Sequence, residues 1–378
     1  MRLTYSTNSL IGTFTKSLRW PACFAMNKWI IFFGLVLVST ICRAQQVISG
    51  EIIGKPVIND SIYFRPTEIN AKYYEQPELS APLAGNKFTL PNRVTYPQLY
   101  SIIFKSDRNI LAWRTGDYFI DPSTTAIKTT YDEEGCSDIN NATAQEYQNK
   151  FIPFMTAGVP RNCKSNEAAT LFFDSGRRAD TLLLGYINKY PDSYVALWKL
   201  IERFSFNGQS ALRKEILGRF SPKLKSKKVW KLLNEDFENA MLKENEKFPS
   251  VALKDLNLAA AKLELPKAKY ILIDYWFARC RPCLDTIPEL KQLYSAYKDK
   301  GFDIISISVD ETANVPIWQR RVKEHGLTWP QYLEENNFRV NELGIKSFPT
   351  FILLDSTGKV VWRDFDLHDL DKFLKGHV

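Results

Sequence analysis

Residues 269–277, KYILIDYWF, form a nearly unbroken apolar run of strand-forming residues. A strand that half-faces water alternates polar and apolar side chains, whereas one covered on both faces does not. The run therefore asks for a sheet with layers packed on each side. It holds one acid, Asp274, and leads directly into ARCRPC (278–283), where two cysteines stand three apart.

The segments that follow supply those layers. CLDTIPELKQLYSAYKDKG (283–301) has helical spacing and a closing glycine. FDIISISVD (302–310) is a second buried strand, and VPIWQRRVKEHG (315–326) a second helix. PTFILLDSTGKVV (349–361) reads as two strands around a Ser-Thr-Gly turn, and LHDLDKFLKG (367–376) as a last helix. Strand–helix–strand order predicts an α/β layer over residues 246–378.

The preceding chain has a different character. Residues 46–135 carry short β-branched and aromatic segments punctuated by Gly, Pro, Asn and Asp: VISGEIIG (47–54), SIYFRP (61–66), NKFTLPN (86–92), QLYSIIFKS (98–106) and DYFIDPSTTAIKTTY (117–131). They predict a β-rich domain, packed as a small antiparallel sandwich or barrel. Residues 136–245 shift to helical spacing, with Pro191 ending one helix and Asp192-Ser193 capping the next. Neither region shows a catalytic constellation.

Residues 1–44 contain five basic residues, no acid, and the uncharged apolar run WIIFFGLVLVSTI (29–41). That length suits a signal peptide better than a membrane span. Cys42 and Ala44 give a small-x-small cleavage site. Counted from Met1 the basic leader is long; counted from Met26 it has ordinary proportions, so Met26 is a candidate true start. Ile41 before Cys42 argues against lipidation, and an uncleaved anchor is an equally minor alternative. Cleavage after Ala44 takes the formal net charge from +8 to +3, which removes the electrostatic case for nucleic acid. Four cysteines then remain, Cys136, Cys163, Cys280 and Cys283. In the oxidising periplasm or cell envelope an even count allows two disulfides, although Cys136 and Cys163 could equally be free thiols.

Cys280 falls where a helix begins. Unpaired N–H groups and the positive end of the helix dipole favour a thiolate there, and the thiolate is the nucleophile. Cys283, one turn on, can resolve a mixed disulfide. Pro282 costs little at a helix start. A structural zinc site needs four ligands; one CxxC, with His325, His368 and His377 distant in sequence, does not supply them. A peroxidatic cysteine would need a Pro- and Thr-containing loop that Cys280 lacks.

ILIDYWFARCRPC (271–283) resembles the thioredoxin family, and the segment 311–333 with the preceding SVDE resembles the insertion of exported TlpA-like thiol-disulfide oxidoreductases. The likeness covers about a third of the chain. Residues 46–245 more weakly resemble an uncharacterised domain that precedes such modules in Bacteroidetes, mainly through YINKYPDSYVAL. The resemblance implies a thioredoxin-like C-terminal fold and a redox-active Cys280–Cys283 pair. It implies that Asp274 assists deprotonation of Cys283, that Pro288 kinks the helix, and that GIKSFPTFILL (344–354) carries a cis-proline at Pro349. Phe348, Pro349, Trp276, Arg279 and Arg281 are the expected substrate contacts. It implies disulfide-containing protein substrates, a membrane electron donor and no dissociable cofactor. Arg279 replaces the family's usual Trp and Thr286 a frequent Glu, which bears on substrate choice. A competing reading makes the first 245 residues a binding or docking module with a weakly active appendage.

Overall fold

The computed structural model describes residues 46–378 apart from 55–59, 67–68, 106–110, 131–136, 157–175, 338 and 364–365. The expected signal segment, Cys136 and Cys163 lie outside the described residues. Among the described residues, no helix is long and apolar enough to cross a membrane.

The apolar run becomes strand Tyr270–Trp276, in the interior of a seven-stranded sheet. It pairs in parallel with Phe302–Ser308 and antiparallel with Thr350–Asp355. Gln331–Leu333 extends the parallel side, and Val360–Arg363 follows Thr350–Asp355. Two short strands, Leu253–Lys254 and Ala260–Ala261, complete the sheet beyond Gln331–Leu333. The predicted α/β layer is present, and both faces of Tyr270–Trp276 are covered. Ile271, Ile273 and Tyr275 join one core cluster; Leu272 and Trp276 join two others on the opposite face. Leu290, Leu293 and Tyr294 of helix Arg281–Tyr297 pack with Leu272. Gly301 closes the chain behind that helix with φ 96°, a left-handed conformation open to glycine at little cost.

Residues 46–139 form two four-stranded sheets. One orders Lys87–Asn92, Gln46–Ile53, Ala126–Thr130 and Asp138–Ile139; the other orders Leu79–Pro82, Ser61–Arg65, Gln98–Lys105 and Leu111–Ile120. The β-rich expectation holds, with one correction: Gln46–Ile53 pairs in parallel with Ala126–Thr130. Those strands are far apart in sequence, so no tight turn forces them antiparallel. Pro91 sits on the edge strand Lys87–Asn92, where its missing N–H breaks no interior ladder.

Helices follow, including Gly176–Lys189, Tyr194–Asn207, Ala211–Arg219 and Lys228–Asn239. Ser193 caps Tyr194–Asn207, its hydroxyl accepting from Ala196 N–H at 3.0 Å. Ile62, Phe64 and Ile102 from one sheet, Ile48 and Leu90 from the other, and Trp198, Leu233 and Phe237 from the helices belong to one buried cluster. Residues 245–248 then run beside Val360–Arg363, with Asn245 N–H donating to Val360 O at 2.7 Å and Phe248 N–H to Gly358 O at 2.9 Å. This brings the helices to the sheet edge that carries Arg363.

Candidate functional site

Cys280 ends the loop after Trp276 and is the N-cap of helix Arg281–Tyr297. Its Sγ accepts from the Cys283 N–H at 3.1 Å, so one of the helix's orphan donors points at sulfur. Pro282 occupies the first turn, where no N–H is missed. The two cysteines are joined in a disulfide with Cα atoms 5.2 Å apart. Both residues are buried, beside Trp276, Ala278, Val315 and Trp318.

Asp310 holds this turn. Its Oδ2 accepts from Ala278 N–H at 2.8 Å and from Ser308 Oγ at 2.7 Å. Burial raises its carboxyl above the usual range, opposed by those hydrogen bonds and by the nearby Arg279 charge. Cys280 N–H donates to Phe277 O at 3.0 Å, closing the turn from the other side.

Asp274 shares a strand face with Leu272 and Trp276, because side chains alternate along a strand. That face lies under the cysteine helix. Ser306 Oγ donates to Asp274 Oδ2 at 2.8 Å, and Trp329 Nε1 donates to Ser306 Oγ at 2.8 Å. Asp274 is 5% exposed. Desolvation outweighs the Ser306 hydrogen bond and pushes its carboxyl up to about 7. A carboxyl in that range exchanges its proton near neutral pH.

The Phe348–Pro349 peptide bond is cis. Phe348 meets Phe277 edge-on, ring centroids 5.4 Å apart at 86°. The loop carrying Pro349 therefore borders the cysteine turn. Thr350 Oγ1 donates to Ser347 O at 2.6 Å within the same loop.

The remaining expected contacts separate. Arg279 is exposed, its Nε donating to Asn314 Oδ1 at 3.2 Å. Arg281 is 84% exposed and pairs with Asp285 at 2.9 Å; such pairs contribute at most about 1 kcal/mol. Trp276 is only 2% exposed and walls the cysteine cluster. The helix Val315–Glu324, through buried Trp318, covers it. Thr286 Oγ1 bonds back to Cys283 O at 2.8 Å, and Pro288 lies within the helix.

Sequence reasoning passed over Asp310, Ser306 and Trp329. A signal was present for the serines. Ser306 and Ser308 interrupt an otherwise apolar strand at alternate positions, and buried hydroxyls need partners. Among the described residues, no group of three or more His, Cys, Asp or Glu could hold a metal ion.

Residues 268–360 match the thioredoxin-like family model. The chain is 31% identical over 113 residues to the thiol-disulfide oxidoreductase ResA of Bacillus thuringiensis strain Al Hakam, an overlap of 30% of this chain and 64% of that one. The ResA of Halalkalibacterium halodurans is 27% identical over 124 residues, covering 33% and 69%. Among solved structures, the thioredoxin domain of a Bacteroides vulgatus thiol-disulfide oxidoreductase is 30% identical, covers 35% of this chain and 97% of its own, and has a TM-score of 0.31. A thiol:disulfide interchange protein from a Bacteroides species is 31% identical, with coverage of 36% and 93% and a TM-score of 0.32. The C-terminal part is a thioredoxin-like domain, preceded by β-sheets and then helices.

Proposed function

We infer that this protein is an extracytoplasmic thiol-disulfide oxidoreductase that reduces protein disulfides through Cys280 and Cys283. The observation that carries the reading is Cys280 Sγ as the N-cap of Arg281–Tyr297, accepting the Cys283 N–H while disulfide-bonded to Cys283. A helix start stabilises the sulfur as a thiolate leaving group or nucleophile.

In the reduced protein, the Cys280 thiolate attacks one sulfur of a client disulfide. An S–S bond forms between Cys280 and that sulfur, the client S–S bond breaks, and the second client sulfur leaves as a thiolate. Asp274 accepts the Cys283 proton, through water. The Cys283 thiolate then attacks Cys280 Sγ, forming the Cys280–Cys283 disulfide and releasing the first client sulfur as a thiolate. Two electrons pass from the enzyme dithiol to the client. Re-reduction needs a dithiol donor, proposed to be a membrane protein. Phe348, Pro349, Arg279 and Arg281 would border the client. Residues 246–378 would act as the redox module, with 46–135 and 136–245 ahead of it. Export would use residues 1–44 as a signal peptide, starting at Met1 or Met26.

The test is the reduction potential of the Cys280–Cys283 pair in residues 45–378 with Cys136 and Cys163 replaced by serine. A value between about −220 and −270 mV, near thioredoxin's, is expected for a reductase. A value near DsbA's, about −120 mV, would make the protein an oxidant.

A further inference from the structure

Helix Tyr194–Asn207 ends beside the loop that carries Pro349. Its last carbonyls are held by one buried cation: Arg213 Nη1 donates to Asn207 O at 2.9 Å and to Gly208 O at 2.7 Å. Asp180 anchors Arg213 and also Arg203, each at 2.9 Å. All three charged residues are buried. A helix end tied to a buried ion network has little freedom to move. Opposite it, Arg363 Nη2 donates to Gly344 O at 3.3 Å. Between the two lies a notch of about 50 Å³, lined by Phe206 and Asn207 on one side and Ser347, Pro349, Thr350 and Arg363 on the other.

We propose that Phe206 and Asn207 are specificity-determining residues for the client, selecting a small polar or acidic side chain next to the attacked cysteine. The proposal rests on the oxidoreductase reading. Phe348 meets Phe277 edge-on, three residues before Cys280, so the loop bearing Pro349 borders the cysteine turn. A client sulfur that reaches Cys280 carries its neighbouring residues over adjoining surface, at about 3.3 Å per extended residue. The notch is lined by the polar residues Asn207, Ser347 and Thr350 and by the cationic Arg363. Phe206 lines one side. The space takes a hydroxyl or carboxylate and is too small for an indole.

The test uses residues 45–378, with dithiothreitol as reductant and short peptides whose single cysteine is a mixed disulfide with thionitrobenzoate. The peptides differ only in the residue beside the cysteine: Ser, Asp or Trp. The expected result is kcat/KM about tenfold higher for Ser and Asp than for Trp in the wild type. Phe206→Ala, with Phe206→Leu as the better-packed second variant, brings Trp to within about twofold of Ser. Asn207→Ala lowers the Ser and Asp values relative to Trp. Equal rates on all three peptides in the wild type, or the same ratio in every variant, would overturn the proposal and leave the oxidoreductase reading standing. Release of thionitrobenzoate no faster with the wild type than with dithiothreitol alone, on every peptide, would remove both.

Discussion

The guanidinium of Arg363 lies directly over the α-carbon of Gly208: a β-carbon built there would stand 2.3 Å from Arg363 Nη1. Gly208 has φ 67° and ψ −158°, a conformation essentially reserved for glycine. The last helical turn before it and the strand Val360–Arg363 come from different parts of the fold, and this contact lets them meet. Gly208→Ala is expected to destabilise the protein by about 1–3 kcal/mol through strain and displacement of Arg363. Gly218, inside helix Ala211–Arg219 with nothing within 4 Å of an added β-carbon, is the control. Gly218→Ala is expected to stabilise by about 0.5–1 kcal/mol. Urea denaturation midpoints of the two variants should move in opposite directions.

Asp274 is expected to make stability depend on pH and, on the proposed mechanism, the chemistry as well. Its folded carboxyl is raised to about 7 by burial, against about 3.9 in an unfolded chain. Between those values the folded protein holds a proton that the unfolded chain has lost. Stability therefore falls as pH rises through the window, with a slope of at most about 1.4 kcal/mol per pH unit from this group. Asp274→Asn should flatten that slope in denaturation curves taken from pH 4.5 to 7.5. In rapid-mixing kinetics, the same variant should slow resolution of the mixed disulfide about 100-fold and remove its rise near neutral pH. An unchanged profile would remove Asp274 from the mechanism.

Ser306 sets how far Asp274 is raised. Its hydroxyl donates to the carboxylate while accepting from Trp329, and that bond favours the ionised form. Ser306→Ala is expected to shift the Asp274 titration further upward and carry the pH-rate midpoint with it. The carboxyl stretching band, followed by infrared difference spectroscopy against pH, reads the shift directly. A midpoint that stays in place would show that the serine does not tune the acid.

Asp310 is expected to matter for the cysteine turn more than its distance in sequence suggests. Asp310→Ala leaves the Ala278 N–H and Ser308 hydroxyl without their shared acceptor, at a cost of about 1–3 kcal/mol for an unsatisfied buried group. Asp310→Asn keeps an amide oxygen for Ala278 and should recover most of the loss. Thermal unfolding and disulfide-reduction rates measured on both variants separate the lost hydrogen bond from the lost charge.

Cys283→Ser should trap the client. Without a resolving thiol, the mixed disulfide at Cys280 persists, and non-reducing gels followed by mass spectrometry should find adducts at Cys280 alone. Cys280→Ser should yield none at Cys283. Adducts at Cys283 in that variant would reverse the order of attack.

The cysteine turn was legible in the sequence because its parts are neighbours along the chain. A buried strand, a CxxC at the following helix start and Pro282 in the first turn are local patterns, and Cys280 and Cys283 meet through one helical turn. The β-rich and helical regions were likewise readable from their periodicity. The burial of Trp276 was not legible in the same way. It stands beside the motif, and nothing in its own segment announces that Trp318, on a later helix, will cover it.

The supports of the site were decided only by the tertiary structure. Asp274 and Ser306, like Ala278 and Asp310, are 32 residues apart. They meet because Tyr270–Trp276 and Phe302–Ser308 pair in one parallel register, with Asp274 opposite Ser306. Gly208 meets Arg363 because residues 245–248 run along the last strand. Residue types and local spacing determined where the Cys280–Cys283 disulfide would form. Strand pairing and helix packing decided which distant side chains would hold it, because such contacts depend on register and on closing long loops, and neither is written in a short stretch of chain.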